Sequence, residues 1–386
     1  MRHLKYLLFL IVIFSILTPL SLKADDQTGG QNIIVKAKVL SVLTTSTETL
    51  PGSTTPLPTQ SLEAQITSGT DTGKTIVFDN DYVMLKSGDV FYLNSTVQPD
   101  GTSMYSVFEP DRVPVLLFFL ILFIALVLIF GGLQGLRGLL SLCGSLLVIT
   151  FVLLPLIVHG FSPLLVSIVV SSLIIILGSY ITHGFNKTTS SAVIGMIVTV
   201  IITGIMAYFA VHNSQLTGVS GDESIYLNFN ITGGIDLVGL LMGGIIIGLL
   251  GVLYDVSIGQ SIAVEELHNI ATHLSRWKIY KRAIRIGREH IGALVNTLAI
   301  AYVGASLPLL LLFYSGTDAS FAIMVNREVF ATEIIRILIG SIGLVLAVPI
   351  TTLLSVIMLM PKNAQTLDKE QLQKEEKDLK HFHHTH

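Results

Sequence analysis

Charge is what this chain has least of: only 13% of its 386 residues are Asp, Glu, Lys or Arg, against roughly 25% in an ordinary soluble domain, while 51% are hydrophobic. Water cannot be its only solvent. The formal net charge of −3 supplies no basic field for displacing phosphate counterions, which argues against a nucleic-acid role. The single cysteine, Cys143, excludes an intramolecular disulfide and a thiolate metal site of its own. It lies in an apolar run and reads as a small core residue. A P-loop, H-E-x-x-H and G-x-S-x-G are all missing. Glu265-x-x-His268 is half of a di-iron pattern without its second copy. The terminal His381, His383, His384 and His386 read as a solvated tail. We therefore expect no enzyme, no cofactor and no metal site.

Residues 1–24 carry a basic start (Arg2, His3, Lys5), an apolar run over 6–20 and a candidate cleavage point after Ala24. The run is short for a span, so a signal peptide is favoured over an N-terminal anchor. Either would deliver Asp25 and the residues after it to the outside, because the basic flank stays cytoplasmic. Residues 25–112 turn polar and β-branched, with strands expected at 34–42, 63–67, 74–78, 90–93 and 104–108 between turn-rich pieces such as Ser87-Gly88-Asp89. Five short strands suit a small OB-like barrel, although a five-strand sandwich fragment would leave the same pattern. Acidic residues outnumber basic ones here, the wrong sign for gripping nucleic acid.

From residue 113 the chain becomes a train of apolar segments: 113–131, 137–158, 162–182, 191–211, 236–254, 291–314 and 333–360. Each is near or above spanning length. The expected fold class is thus an α-helical polytopic membrane protein of about seven spans, with a small N-terminal all-β, OB-like, extracytoplasmic domain. Its domains would be the leader, the β-domain 25–112, a transmembrane domain 113–360 with a basic link at 256–290, and a charged cytoplasmic tail 361–386. Counting inward from an external β-domain puts Arg137 and Lys187 inside and Asp222-Glu223 outside. Arg276, Lys278, Lys281, Arg282, Arg285 and Arg288, the densest basic run, then also fall inside, where the positive-inside bias would place them. The expected location is the inner (plasma) membrane.

Polar residues gather after the Gly-rich fifth segment, whose Gly243, Gly244, Gly248 and Gly251 leave a smooth surface for a neighbouring helix. Wound at 100° per residue, Asp255, Glu266 and Asn269 share one side, while Ser257, Ser261, Glu265 and His268 share another. Such a helix lines a water-filled path, with Asp255 its deepest carboxylate, or it is a solvated helix beyond a span ending at Tyr254. Candidate path residues are Asp255, Ser257, Gln260, Ser261, Glu265 and Glu266, joined by Asn296 and Thr297 of the sixth segment. Interhelical packing is the blander role for that pair. Glu333 and Arg336, at i, i+3 spacing, read as an interfacial ion pair or an outer gate. Pro308 and Pro349 can break or kink their helices. The functional expectation is a secondary transporter or channel-like permease for a small solute or ion, in contact with the lipid bilayer. The rival is a scaffold or sensor whose external β-domain binds a protein partner.

Three blocks carry a resemblance: Gly251-Val-Leu-Tyr-Asp255-Val-Ser257, the stretch from Arg288-Glu-His290 through Asn296-Thr297 and Tyr302 to Pro308, and Glu333-Ile-Ile-Arg336 through Gly340 and Gly343 to Pro349. Together they resemble the bacterial YibE/F family over about residues 115–360. The resemblance implies a multi-pass membrane protein and supplies no reaction, substrate or catalytic residue.

Overall fold

The computed structural model describes residues 32–49, 56–97, 102–221, 224–227, 234–315 and 320–360. The expected leader, the Asp222-Glu223 loop and the C-terminal tail lie outside the described residues. The chain divides into two compact units, Met1–Ile129 and Phe130–His386.

Five antiparallel strands make the first unit: β1 (Asn32–Thr49), β2 (Pro56–Ile66), β3 (Thr75–Asn80), β4 (Val90–Val97) and β5 (Ser103–Pro110). They form a half-barrel sheet in the order β3-β2-β1-β4-β5. Its long central strand serves two neighbours: β1 pairs with β4 from Asn32↔Thr96 to Lys38↔Val90 and with β2 from Ala37↔Ile66 to Thr49↔Pro56. Register shifts at Val39/Ser41 and Val42/Thr44 fall just past the point where β1 leaves β4, where an extra residue bends a strand. One face of the sheet is apolar because side chains alternate: Ala37, Val39, Leu62, Ala64, Ile76, Phe78, Phe91 and Leu93 are buried together.

Two polar side chains are also buried in this unit. Gln60 Nε2 donates to the Leu85 carbonyl at 3.0 Å while its Oε1 accepts from the Leu85 amide at 2.8 Å. Asn80 Nδ2 donates to the Val83 carbonyl at 2.7 Å and its Oδ1 accepts from the Tyr82 amide at 3.2 Å. The β3–β4 loop thereby finds partners for backbone groups that burial of Leu85 takes out of water.

At the end of the sheet, Lys36 Nζ meets Asp111 Oδ2 at 2.9 Å, and the Asp111 side chain is only 9% exposed. Asp111 Oδ1 also accepts from the Val113 amide, at the start of the first helix. The ammonium holds the Asp111 carboxyl below the ordinary aspartate range, and the carboxylate in turn holds the Lys36 ammonium above the ordinary lysine range.

The helices are α1 (Val113–Val148), a π-helical turn at Ile149–Leu153, α2 (Leu154–Val158), α3 (Pro163–His183), α4 (Lys187–Asn213), α5 (Leu237–Ile270), α6 (Arg276–Ala305), α7 (Leu307–Ser315), α8 (Phe321–Asn326) and α9 (Glu328–Leu359). Five helical stretches among the described residues are long and apolar enough to cross a membrane, or six if α6 and α7, bent by 71° at Ser306, count as one. By length and composition these helices are those of a membrane protein. The first stretch, Val113–Val158, has 46 residues, about 69 Å at 1.5 Å per residue and roughly twice a hydrocarbon core. It is interrupted at Gly132, whose φ of 53° and ψ of −135° are non-helical.

In the second unit, α3, α4, α5, α6 and α9 pack into a bundle with two distinct ends. At one end Gln134 donates to the Thr182 carbonyl, and Arg276 donates to the Met360 and Ile357 carbonyls that close α9. At the other end Asp236 caps α5 and Glu328 Oε1 accepts from the Thr217 amide and hydroxyl at 2.6 and 2.8 Å. Small residues let the axes approach. A Cβ at Gly195 of α4 would lie 2.5 Å from Thr351 Oγ1 and 3.0 Å from the Thr351 Cα of α9. Gly287 of α6 faces Val348 and Gln260, and Gly343 of α9 faces Thr203 and Leu249.

The fifth apolar segment does not stop near Tyr254, because helical hydrogen bonding carries α5 on to Ile270 with Val256, Ser257, Ile258, Ser261 and Val264 buried. The sixth is also not a simple span: α6 starts at Arg276, includes the basic run, and breaks at Ser306 just before Pro308. Pro349, by contrast, sits inside an uninterrupted α9.

Two outcomes test this packing. Asp111→Asn should lower stability by about 1 kcal/mol or less at neutral pH, because Lys36 remains 41% exposed to solvent screening. The contribution of a depressed carboxyl is present above its unfolded value, near pH 4, and fades as pH falls through the lower folded value. Melting curves of wild type and variant should therefore converge in acid. Separation of the two curves that persists at pH 2 would contradict the ion pair as its cause. Gly195→Ala should destabilise the bundle by about 1–3 kcal/mol through overpacking against the α9 backbone. Gly244→Ala, with open space around its Cβ, should be neutral or slightly stabilising in the same thermal measurement.

Candidate functional site

Polar side chains of α5 segregate into three environments. The first is a buried hydroxyl seam. Ser191 Oγ of α4 lies 2.6 Å from Ser261 Oγ and 3.0 Å from Ser355 Oγ, and Ser261 Oγ donates to the Thr188 carbonyl at 2.7 Å. Ser191 Oγ also lies 2.9 Å from the same Thr188 carbonyl, so the three hydroxyls and that carbonyl form one hydrogen-bonded cluster. Higher up, Thr351 donates to Ser257 at 3.3 Å. Ser257 and Ser261 are fully buried, so they tie α4, α5 and α9 together and line no open space.

The second environment is a cavity of about 210 Å³ lined by Asp255, Val256, Gly259 and Gln260 of α5, by Ile286, Gly287, His290 and Leu294 of α6, and by Val348 of α9. Gln260 donates to the Ala283 carbonyl at 2.7 Å, which fixes its amide on the cavity wall. Gly287 is required here because any Cβ would strike Val348 Cγ1 and the Gln260 amide oxygen. Asp255 and His290, both exposed residues, border this one space from α5 and α6. A carboxylate, an imidazole and an amide can together hold a cation, relay a proton or bind a small polar solute.

On the other side of α5, a cavity of about 290 Å³ is lined by Glu265, Ile258 and Ile262 together with His183, Asn186, Thr188 and Thr189. Asn186 caps α4 by accepting from the Thr189 amide at 2.6 Å. Both cavities lie toward the bundle end that carries Arg276. Glu266 is exposed and lines neither.

Near the opposite end, Arg336 NH1 donates to Glu333 Oε1 at 2.7 Å, with side chains 26% and 18% exposed. Ser306, at the break between α6 and α7, donates to Glu333 Oε2 at 3.1 Å. An apolar cavity of about 190 Å³ adjoins this cluster, walled by Phe313, Phe321 and Phe330. Tyr302 rests on Gly248 of α5, and its buried hydroxyl has no hydrogen-bond partner among the described residues.

The expected path residues are therefore only partly brought together. Asp255 and Gln260 share a cavity, Glu265 lines another, and Ser257 and Ser261 belong to the seam. Asn296 and Thr297 are exposed on α6, where Thr297 donates back to the Ala293 carbonyl, and they do not join the others. The expected Glu333/Arg336 pair is formed. His290 and His183 were missed as cavity residues. His290 had a legible signal: at 100° per residue it falls on the α6 side that holds Ile279, Ala283 and Gly287. Among the described residues no cluster of three or more His, Cys, Asp or Glu could hold a metal ion.

No curated protein and no solved structure matches this chain. Residues 119–361 match the sequence model of the family described as YibE/F-like protein, a match that spans the bundle and all three cavities. The chain belongs to the YibE/F-like family.

Proposed function

We propose that this protein is a multi-pass permease of the inner (plasma) membrane, conducting a small solute or ion along a route that includes Asp255, Gln260 and His290. The observation that carries the reading is the cavity that Asp255 of α5 and His290 of α6 line from facing helices. A carboxylate placed in an apolar helix costs several kcal/mol unless a partner or water stabilises it, so it marks a wet route better than a packing position. Asp255 favours a cation or a proton over an anion. Without an ATP-binding motif, energy would come from a gradient or a partner.

Seven crossings are the count we favour. The non-helical Gly132 separates 113–131 from 133–158, each near crossing length, and the bent α6–α7 pair supplies one more. This count puts the β-domain outside and Arg276–Arg288 inside, in accord with the positive-inside bias. We read the half-barrel as OB-type, since its strand order is that of a five-stranded barrel left open between β3 and β5.

Two measurements test these readings. In vesicles containing the purified chain, proton, sodium and potassium flux can be followed with entrapped indicator dyes. Asp255→Asn should lower whichever flux the wild type supports by at least about tenfold. Undiminished flux would remove Asp255 from the route. Cysteine labelling of intact cells, with Cys143 first replaced, should modify Lys86→Cys and leave Lys281→Cys protected until the membrane is permeabilised. Equal labelling of both in intact cells would make the number of crossings even.

A further inference from the structure

The first half of α6 presents two opposite faces. Ile279, Ala283 and Gly287 are buried, and Ile279 and Ala283 pack with Val264, Leu274, Val356 and Met360. Arg276 anchors this end of the helix on the terminal carbonyls of α9. At 100° per residue, Lys281, Arg285 and Arg288 fall within about 60° of one another and roughly opposite that buried stripe. All three are exposed, as is Arg282 at the margin, and among the described residues none of the four carries an ion pair. Glu289 is the only carboxylate from Arg276 to His290. Trp277, 59% exposed, stacks on Tyr280 and lies under the Lys281 ammonium at 5.2 Å.

The same face continues into the second half of α6 with a different chemistry. Gly292, Ala299 and Val303 run along it, with Ile300 beside them 59% exposed, Asn296 the polar exception and Val295 at its edge packed against the core. One largely exposed face therefore leads from a band of cations and an exposed tryptophan into about 16 Å of mostly apolar surface. That order, cation and indole first and hydrocarbon next, matches a leaflet traversed from headgroups to acyl chains.

We propose that Lys281, Arg285 and Arg288 form a recognition band for anionic phospholipid headgroups, enriching acidic lipid around α6 at the bundle end toward which the Asp255 cavity lies. The inference rests on the membrane reading above. The seat against α5 and α9 fixes the band's position, so its selectivity is a property of the folded chain and not of a loose basic tail. Guanidinium groups suit the phosphate diester because their planar donors can bind two of its oxygens at once.

Spin-labelled phosphatidylglycerol and phosphatidylcholine, compared in vesicles holding the full chain, test it. Wild type should immobilise phosphatidylglycerol with a relative association constant severalfold above that of phosphatidylcholine, falling toward unity in 0.5 M NaCl. The triple change Lys281→Gln, Arg285→Gln, Arg288→Gln should abolish the preference. Lys281→Arg, Arg285→Lys, Arg288→Lys should largely retain it, and Lys38→Gln with Lys86→Gln in the β-domain should leave it unchanged. Equal immobilisation of the two lipids by wild type, or full selectivity in the Gln variant, overturns the inference while leaving the membrane reading intact. Selectivity abolished by millimolar free inorganic phosphate would also overturn it, because the site would then be one for a soluble anion. Immobilisation of neither lipid overturns both readings.

Discussion

Helix α9 can approach α4 closely because Gly195 has no side chain where Thr351 crosses it, and the rest of the bundle is arranged around that approach. Helices surrounded by lipid gain little from hiding apolar surface, since hydrocarbon lies on both sides of the exchange. Small residues and hydroxyls then have to supply the contact. Gly195, Gly287 and Gly343 bring axes together, and the Ser355–Ser191–Ser261 chain closes its hydrogen bonds inside the space that remains. The polar residues gathered on one side of α5 are thus largely explained by packing, which narrows the chemistry to the side chains the seam leaves out: Asp255, Gln260 and Glu265.

The apolar segments were legible because length and hydropathy register directly in sequence, and helices occupy most of each one. Their ends were less so. The stretch after Tyr254 read either as the lining of a water-filled path or as a solvated helix, because Ser257, Gln260 and Ser261 are polar one at a time. Only packing against Thr188, Ala283 and Thr351 shows that each is satisfied inside the bundle. The break at Ser306 had a local cue in Pro308, whereas Pro349 carries the same cue within a continuous helix. Proline marks where a helix can bend, and tertiary contacts decide whether it does.

In the β-domain, alternation located all five strands but shortened β1, β2 and β4; in β1 the missed part, Leu43 to Thr49, is rich in threonine and has no apolar partner face to announce it. Gln60 gave no warning of its role. A glutamine between Thr59 and Ser61 looks like a solvent-facing position, yet its amide pairs with both backbone groups of Leu85 as a neighbouring strand would. Nor could sequence foretell that Lys36 and Asp111, 75 residues apart, would meet. Contacts of that separation depend on β1 lying beside β4 and on β5 pairing with the other edge of β4, a matter of topology with no local trace.

Charge at the two ends of the bundle has different standing. Glu333 is matched by Arg336 and by the Ser306 hydroxyl, so its burial is compensated within its own surroundings and needs no solute or water to explain it. Asp255 has no ion pair among the described residues, and the nearest polar company in its cavity is an imidazole and an amide already committed to the Ala283 carbonyl. Asp255 is an exposed residue of α5, so its carboxylate is open to hydration, protonation or a cation. The proposed route rests on that accessible, unpaired carboxylate beside the cavity, whereas Glu333 is accounted for by its own surroundings.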